Sequence, residues 1–553
     1  MPDAESAEKN RSPVVMELVD QHTKSIMEGC KQRARDAGLS FQDESLEYIV
    51  TNRDLLDLTP KNMIPTLYDY WVHDVEVLRE RGRYELYPNN PFETVINTRP
   101  AISFYNDNNP DWLNVMIFYH VLAHIDFFQN NHFFRHTWDY DFTSQALADK
   151  RLIASLRARH GRWVDYVIEF ARGIDNLVDY HGLLSRRHRT AVNQPSPKVN
   201  FYFDVFLQQI QKMKTSAFME EIERFNTCIR DCGEMCEETF FADTAKTYPE
   251  FEAIYQKQGD KSPVQKQDLL LYLLENSEFL NRDENKWMQS ILHVVRKTSL
   301  YFQPQIRTKI MNEGWASYWH EKLFLADDRI CSHEVEFARV NAKVTSLPRV
   351  GINPYALGLR LFQDIEQRAD KGQLSWEFQQ LADQQQRRDY DRKLGRGRES
   401  IFTLRENYCD FMFINQFVDQ DFVDHHQLFV TEKTLNQQRM VWEYRVGSRR
   451  AEDYRQMLLA SLYHPPHIVI NNDNGDGTLR LKHTFEGKQL VRDYITGTML
   501  GLEYLWGNPV ELETHEASPA PPAEAGKPRE IKWQRVRYRM HNRELKRETM
   551  GTV

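Results

Sequence analysis

Six cysteines in 553 residues are too few for a disulfide framework. The chain has no unbroken apolar run of about 18 residues, so no helical membrane span is expected. Its opening, MPDAESAEKNRSP, is polar and lacks the apolar core of a secretory signal. Together these absences point to a cytoplasmic protein with reduced thiols. An excess of positive charge is missing too. The 71 Lys and Arg stand against 80 Asp and Glu, a net charge of −9, which argues against a general nucleic-acid binder. No internal repeat is visible.

What is present is ordinary for a folded protein: 41% apolar and 27% charged residues. The length suggests roughly two to four domains. Residues 17–38 read as an amphipathic helix with Leu18, Ile26 and Met27 on its apolar side. A Pro-started apolar stretch near 60–80 runs into a charged helix. Residues 92–105, rich in β-branched and aromatic types, read as one or two short strands. A helix follows over about 111–130, and 142–325 is almost wholly helical. Met288, Ile291, Leu292 and Val295 are spaced for one buried face. Breaks fall near 193–197 and 258–263. The polar segment 381–400 reads as a solvated loop or exposed helix end. Beyond 425 the texture changes. IVIN at 468–471 and TLRLKH at 478–483 flank an Asn/Gly/Asp turn, a hairpin pattern. A helix and the returning strand NPVELE complete a β-β-α-β unit. A Pro/Ala linker at 517–528 precedes a basic end, in which Arg535, Arg537 and Arg539 alternate with Val536, Tyr538 and Met540.

The chemistry is carried by FYHVLAHIDFFQNN. His120 and His124 are four residues apart, which places both imidazoles on one helix face. Both rings can then reach one Zn²⁺ at about 2.0–2.1 Å. MNEGWASYWH at 311–320 supplies Glu313, with Gly and Ala after it to let a second helix approach closely. Two histidines and a glutamate form the ligand set of an open zinc site. His320, seven residues after Glu313, shares its face and is either a fourth ligand or a proton carrier. Asp126 and Glu321 are the other candidates for handling a proton, and Asp126 alternatively orients a ligand histidine. Cys228, Cys232 and Cys236 recur every four residues, so one helix face would carry three thiols. Asn353 and Pro354 read as a helix start. The bland alternative for each motif is packing or a solvated face.

HVLAHIDFFQNN, MNEGWASYWH and INPYALGLRLFQDI (352–365) resemble the signature blocks of the SpoVR family, stage V sporulation protein R. The likeness is strong over about 60–370 and fainter through GDGTLRLKH. It implies a link to sporulation, the spore cortex or stress responses. It also implies possible partners, a PrkA-type serine kinase and a von Willebrand factor A-like protein. The HxxxH…NEGxA arrangement is similar to gluzincin metallopeptidases, which implies that His120, His124 and Glu313 bind Zn or another divalent metal. Asn312, Asn353 and Tyr355 would line the same pocket. The chain departs from the peptidase motif at Val121, where the catalytic glutamate would stand.

The expected fold is mainly α with a small β-layer. A helical N-terminal segment (1–59) precedes a gluzincin-like body with the metal site (60–424). A small α/β domain (425–515) and a linker with basic tail (516–553) follow. The expected function is hydrolysis of amide bonds, with peptidoglycan-related substrates as the expected class. The alternative is a non-catalytic scaffold for protein partners in a kinase-linked pathway. The basic tail is a candidate contact for an anionic polymer.

Overall fold

The computed structural model describes residues 17–42, 45–51, 93–107, 109–138, 142–188, 196–211, 213, 215–233, 236–258, 268–436, 439–471, 475–518 and 532–552. The stretch expected near 60–80 lies outside these residues, as do most of the linker and parts of the breaks near 193–197 and 258–263. The protein is mainly helical with small sheets, as its sequence patterns indicate. Two compact units form, each from two stretches of chain: residues 1–176 with 282–465, and 177–281 with 466–553. Among the described residues no helix is long and apolar enough to cross a membrane.

The first unit opens with strand β1 (Glu17–Leu18) and helix α1 (Gln21–Asp36). Strands β2 (Ser45–Val50), β3 (Glu93–Ile96) and β4 (Ala101–Asn106) join β1 in a sheet ordered β1-β2-β4-β3. The strands expected over 92–105 are β3 and β4, paired antiparallel with Val95 opposite Ser103. The chain then turns at Pro110 into α2 (Asp111–Asn130). Every residue of α2 from Val115 to Phe128 is buried. A helix apolar on all sides belongs at the centre of a core, and this one carries its two histidines there.

The helix Lys286–Arg307 buries Met288, Ile291, Leu292 and Val295, the face read from their spacing. It is followed directly by α3 (Lys309–Leu325). Next come α4 (Glu334–Thr345), α5 (Pro354–Lys371), α6 (Gly397–Asn407) and α7 (Asp410–Phe417). Asn353 caps α5, its side chain accepting from the amides of Tyr355 and Ala356, with Pro354 in the first turn. Buried Asp410 caps α3 from another helix, accepting from Ile310 N and Met311 N at 2.9 Å each.

Helices α3 and α5 cross with their backbones in contact. A Cβ built on Gly314 would lie 2.4 Å from the Cα of Gly358, and one on Gly358 would lie 2.2 Å from the Ile310 carbonyl oxygen. Only glycine permits that approach. The segment 381–400 holds a short helix (Gln384–Asp389) and the start of α6, and is largely exposed. Strands β5 (Val430–Asn436) and β6 (Val441–Ser448) form a two-stranded hairpin that the sequence patterns did not announce.

In the second unit, an aromatic cluster built on Tyr202, Phe206, Phe240 and Phe251 forms one core. The three spaced cysteines do not share a helix. Gly233 turns left-handed at φ 55°, so one helix ends at Cys232 and the next begins at Cys236. Cys228 Sγ faces the Cys236 carbonyl at 3.4 Å, while Cys232 is exposed.

The β-β-α-β unit is present. Strands β7 (Ile468–Ile470) and β8 (Leu479–His483) are antiparallel, α8 (Arg492–Trp506) crosses over, and β9 (Val510–Ala517) runs parallel to β8. Two further strands, β10 (Trp533–His541) and β11 (Glu544–Thr552), extend the same sheet. The alternation at the basic end is that of β10: Val536, Tyr538 and Met540 are buried. Arg535 and Arg537 pair with Glu513, Arg539 with Glu511, and Arg547 with buried Glu516.

Candidate metal centre

Helix α2 supplies His120 and His124, and α3 supplies Glu313. Ligand atoms of the three lie within 4.8 Å of one another, forming a group able to hold a metal ion. His124 Nε2 is 3.6 Å from Glu313 Oε2. Two ligands held tetrahedrally at the usual zinc distances would sit about 3.4 Å apart, so this pair matches the geometry without rearrangement. Both histidines are 4% exposed, whereas the Glu313 side chain is 16% exposed and marks the solvent side. The Gly314 crossing explains the convergence, because the backbone contact with α5 fixes the residue beside Glu313.

The polar surroundings define the ring orientations. His124 Nδ1 is 2.9 Å from Asn312 Oδ1. A carbonyl oxygen only accepts, so His124 Nδ1–H donates and Nε2, the nitrogen towards Glu313, carries the lone pair. His120 Nδ1 meets His320 Nδ1 at 2.8 Å. His320 Nε2 lies 3.0 Å from Asn341 Oδ1, and Asn341 Nδ2 donates to Glu321 Oε2 at 3.0 Å. Tyr355 stacks on His120, with ring centroids 6.1 Å apart.

Burial, reinforced by His124 and His320, pushes the His120 pKa well below the usual histidine value, against a backbone hydrogen bond to Ala316. Burial likewise lowers His320 to about 4, opposed by its bond to Asn341. Both rings are therefore neutral at pH 7, the state a metal ligand needs.

The other candidate residues of the sequence stand apart from the three. Asp126 is fully buried but faces away. Its carboxylate accepts from Ser40 N at 2.7 Å, Trp315 Nε1 at 2.9 Å and Asn130 Nδ2 at 3.2 Å, with Arg405 at 3.5 Å. Burial raises its pKa to about 6. Residues two apart on a helix do not share a face, and here the spacing from His124 decides the matter. His320 touches the centre only through His120. Glu321 reaches it through Asn341 and His320. Asn353 serves α5 as its cap, its amide also donating to the Val344 and Ser346 carbonyls. Val121 is fully buried in the core cluster. Asp410 and Asn341 were missed from the sequence. Asp410 immediately follows Cys409 and reads as a simple helix start, and Asn341 is one polar residue in a mostly polar helix.

No solved structure is matched by the chain. An uncharacterized protein of Escherichia coli (strain K12), YcgB, is 25% identical over 496 residues, covering 84% of this chain and 86% of that protein. The family model described as SpoVR like protein matches residues 18–464, which takes in both ligand-bearing helices and the α5 block. The chain belongs to the SpoVR-like family.

Proposed function

We propose that this SpoVR-family chain is a divalent-metal-dependent hydrolase of amide bonds, with His120, His124 and Glu313 holding the ion. The observation that carries this reading is the 3.6 Å approach of His124 Nε2 to Glu313 Oε2 beside neutral, buried His120. Two imidazoles and a carboxylate favour zinc, and three protein ligands leave a coordination position for substrate. A bound ion would supply Lewis acidity to a substrate carbonyl and to water. The protein's own residues do the rest. His120 and His124 hold fixed ring orientations, and Glu313 connects the buried pair to solvent. Asp126 is committed to Ser40 and Trp315, His320 to His120 and Asn341, and half-buried Glu321 to Asn341, so each of the three proton-handling candidates is held by partners other than the ligand group. Substrates of the peptidoglycan kind and kinase-linked partners, suggested by the family resemblance, belong to the same proposal, as does a cytoplasmic setting.

One observation favours a second reading, a metal-stabilised scaffold that binds protein partners without catalysis. The place of the peptidase glutamate is taken by Val121, wholly inside the core. Metal analysis of purified wild type and His124→Ala tests the shared premise: about one ion per wild-type chain and none in the variant. No metal in either removes both readings. Metal without release of amines from muropeptides leaves the scaffold.

A further inference from the structure

His320, Asn341 and Glu321 form a chain of hydrogen bonds that ends on a ligand histidine. Its direction follows from Glu321. A carboxylate accepts, so the Asn341 amide must turn its NH₂ toward Glu321, at 3.0 Å. That leaves the Asn341 carbonyl facing His320 Nε2 at 3.0 Å, and a carbonyl demands a donor. His320 therefore carries its proton on Nε2. A neutral imidazole has one N–H, so His320 Nδ1 accepts. Across the 2.8 Å contact, His120 Nδ1 must then donate, which puts the His120 lone pair on Nε2. If Asn341 turned over, its carbonyl would oppose Glu321 and the order would be lost at the first step.

We propose that Glu321, Asn341 and His320 are positioning residues that set the tautomer of His120 and so prepare it as a metal ligand; this rests on the metal-binding reading above. The arrangement adds a three-residue chain drawn from α3 and α4 to the Ala316 backbone carbonyl that also meets His120. His124 has a shorter version, with Asn312 alone. Because all of the chain is buried or half-buried, water competes poorly for these bonds.

The test is Zn²⁺ affinity of the full-length protein, measured by competition with a chromophoric chelator. Asn341→Leu removes the carbonyl that fixes His320 and should weaken Zn²⁺ binding by about 10–100-fold, as loss of such outer partners does. The pair Asn341→Asp with Glu321→Gln reverses donor and acceptor between the two positions yet still offers His320 an oxygen. It should bind within about threefold of wild type, a rescue that a merely structural role for Asn341 would not produce. Wild-type affinity in Asn341→Leu, or a swapped pair as weak as that variant, overturns the inference. Should Asn341→Leu not fold, Asn341→Ala takes its place with the same two outcomes. A wild-type protein that binds no Zn²⁺ is a separate result: it removes the metal-binding reading itself, and this inference with it.

Discussion

Gly314→Ala places a methyl group where two helices already touch. The added Cβ would meet Gly358 backbone atoms at 2.4 Å, whereas ordinary contact begins near 3.4 Å. Backbone cannot rotate aside as a side chain can, so α3 and α5 must part by about 1 Å, with loss of close packing along the crossing. Overpacking of this kind costs about 1–3 kcal/mol. The better helix propensity of alanine offsets roughly 0.5–1 kcal/mol of it. A net destabilisation of about 0–2.5 kcal/mol is expected from those two figures. The same shift moves Glu313, so Zn²⁺ affinity should fall by about tenfold or more. Gly497→Ala is the control. Gly497 is an exposed residue of α8 with nothing within 4 Å of an added Cβ, so the same substitution should stabilise by about 0.5–1 kcal/mol. Urea unfolding of the full-length chain followed by circular dichroism reads both. A Gly314→Ala protein as stable as wild type, with unchanged Zn²⁺ affinity, would refute the crossing as the device that positions the site.

Other consequences can be measured directly. Asn312→Leu should weaken Zn²⁺ binding by about 10–100-fold by releasing the His124 tautomer, read by the same chelator competition. Trp315→Phe deletes a donor to buried Asp126 and should destabilise by about 1–3 kcal/mol in urea. Burial, His425 and Arg360 lower the His426 pKa from 6.5 to about 4. The unfolded chain therefore binds the proton more readily. Stability linked to His426 is present above pH 6.5 and lost as pH falls toward 4, so His426→Gln should flatten the decline in urea midpoint across that window. Deleting 532–553 should not behave as removal of a tail. It uncovers β9, removes both arginines from Glu513 and takes Arg539 from Glu511 and Arg547 from Glu516, so the truncated chain should unfold earlier or aggregate.

The grouping of His120, His124 and Glu313 was legible because its signals are local. A four-residue histidine spacing and a glycine after Glu313 each state a requirement of helix geometry. The β-β-α-β unit was legible for a similar reason, since turn residues and period-two alternation mark it. What was hidden depends on contacts distant in sequence. The cap that Asp410 provides to α3 joins residues about a hundred positions apart, and nothing around Asp410 announces it. Asn341 looks like any polar residue of an exposed helix until Glu321 and His320 bracket it. Asp126 shows the reverse failure. Its proximity to His124 in sequence suggested a shared role, but helix periodicity turns it to Trp315 and Ser40. The β5–β6 hairpin escaped notice because Glu, Lys and Arg interrupt its apolar residues.

The Asp410 cap also bears on when the site can exist. On a ribosome, His120 and His124 emerge long before Glu313, and residues 177–281 of the other unit are made in between. The helix bearing Glu313 acquires its cap only once Asp410 has emerged. Until then the Ile310 and Met311 amides lack their buried acceptor, although the α5 crossing at Gly314 can already form. A stalled or truncated chain ending before 410 would thus carry His120, His124 and Glu313 together with the α5 crossing, yet lack the buried cap on the helix that bears Glu313.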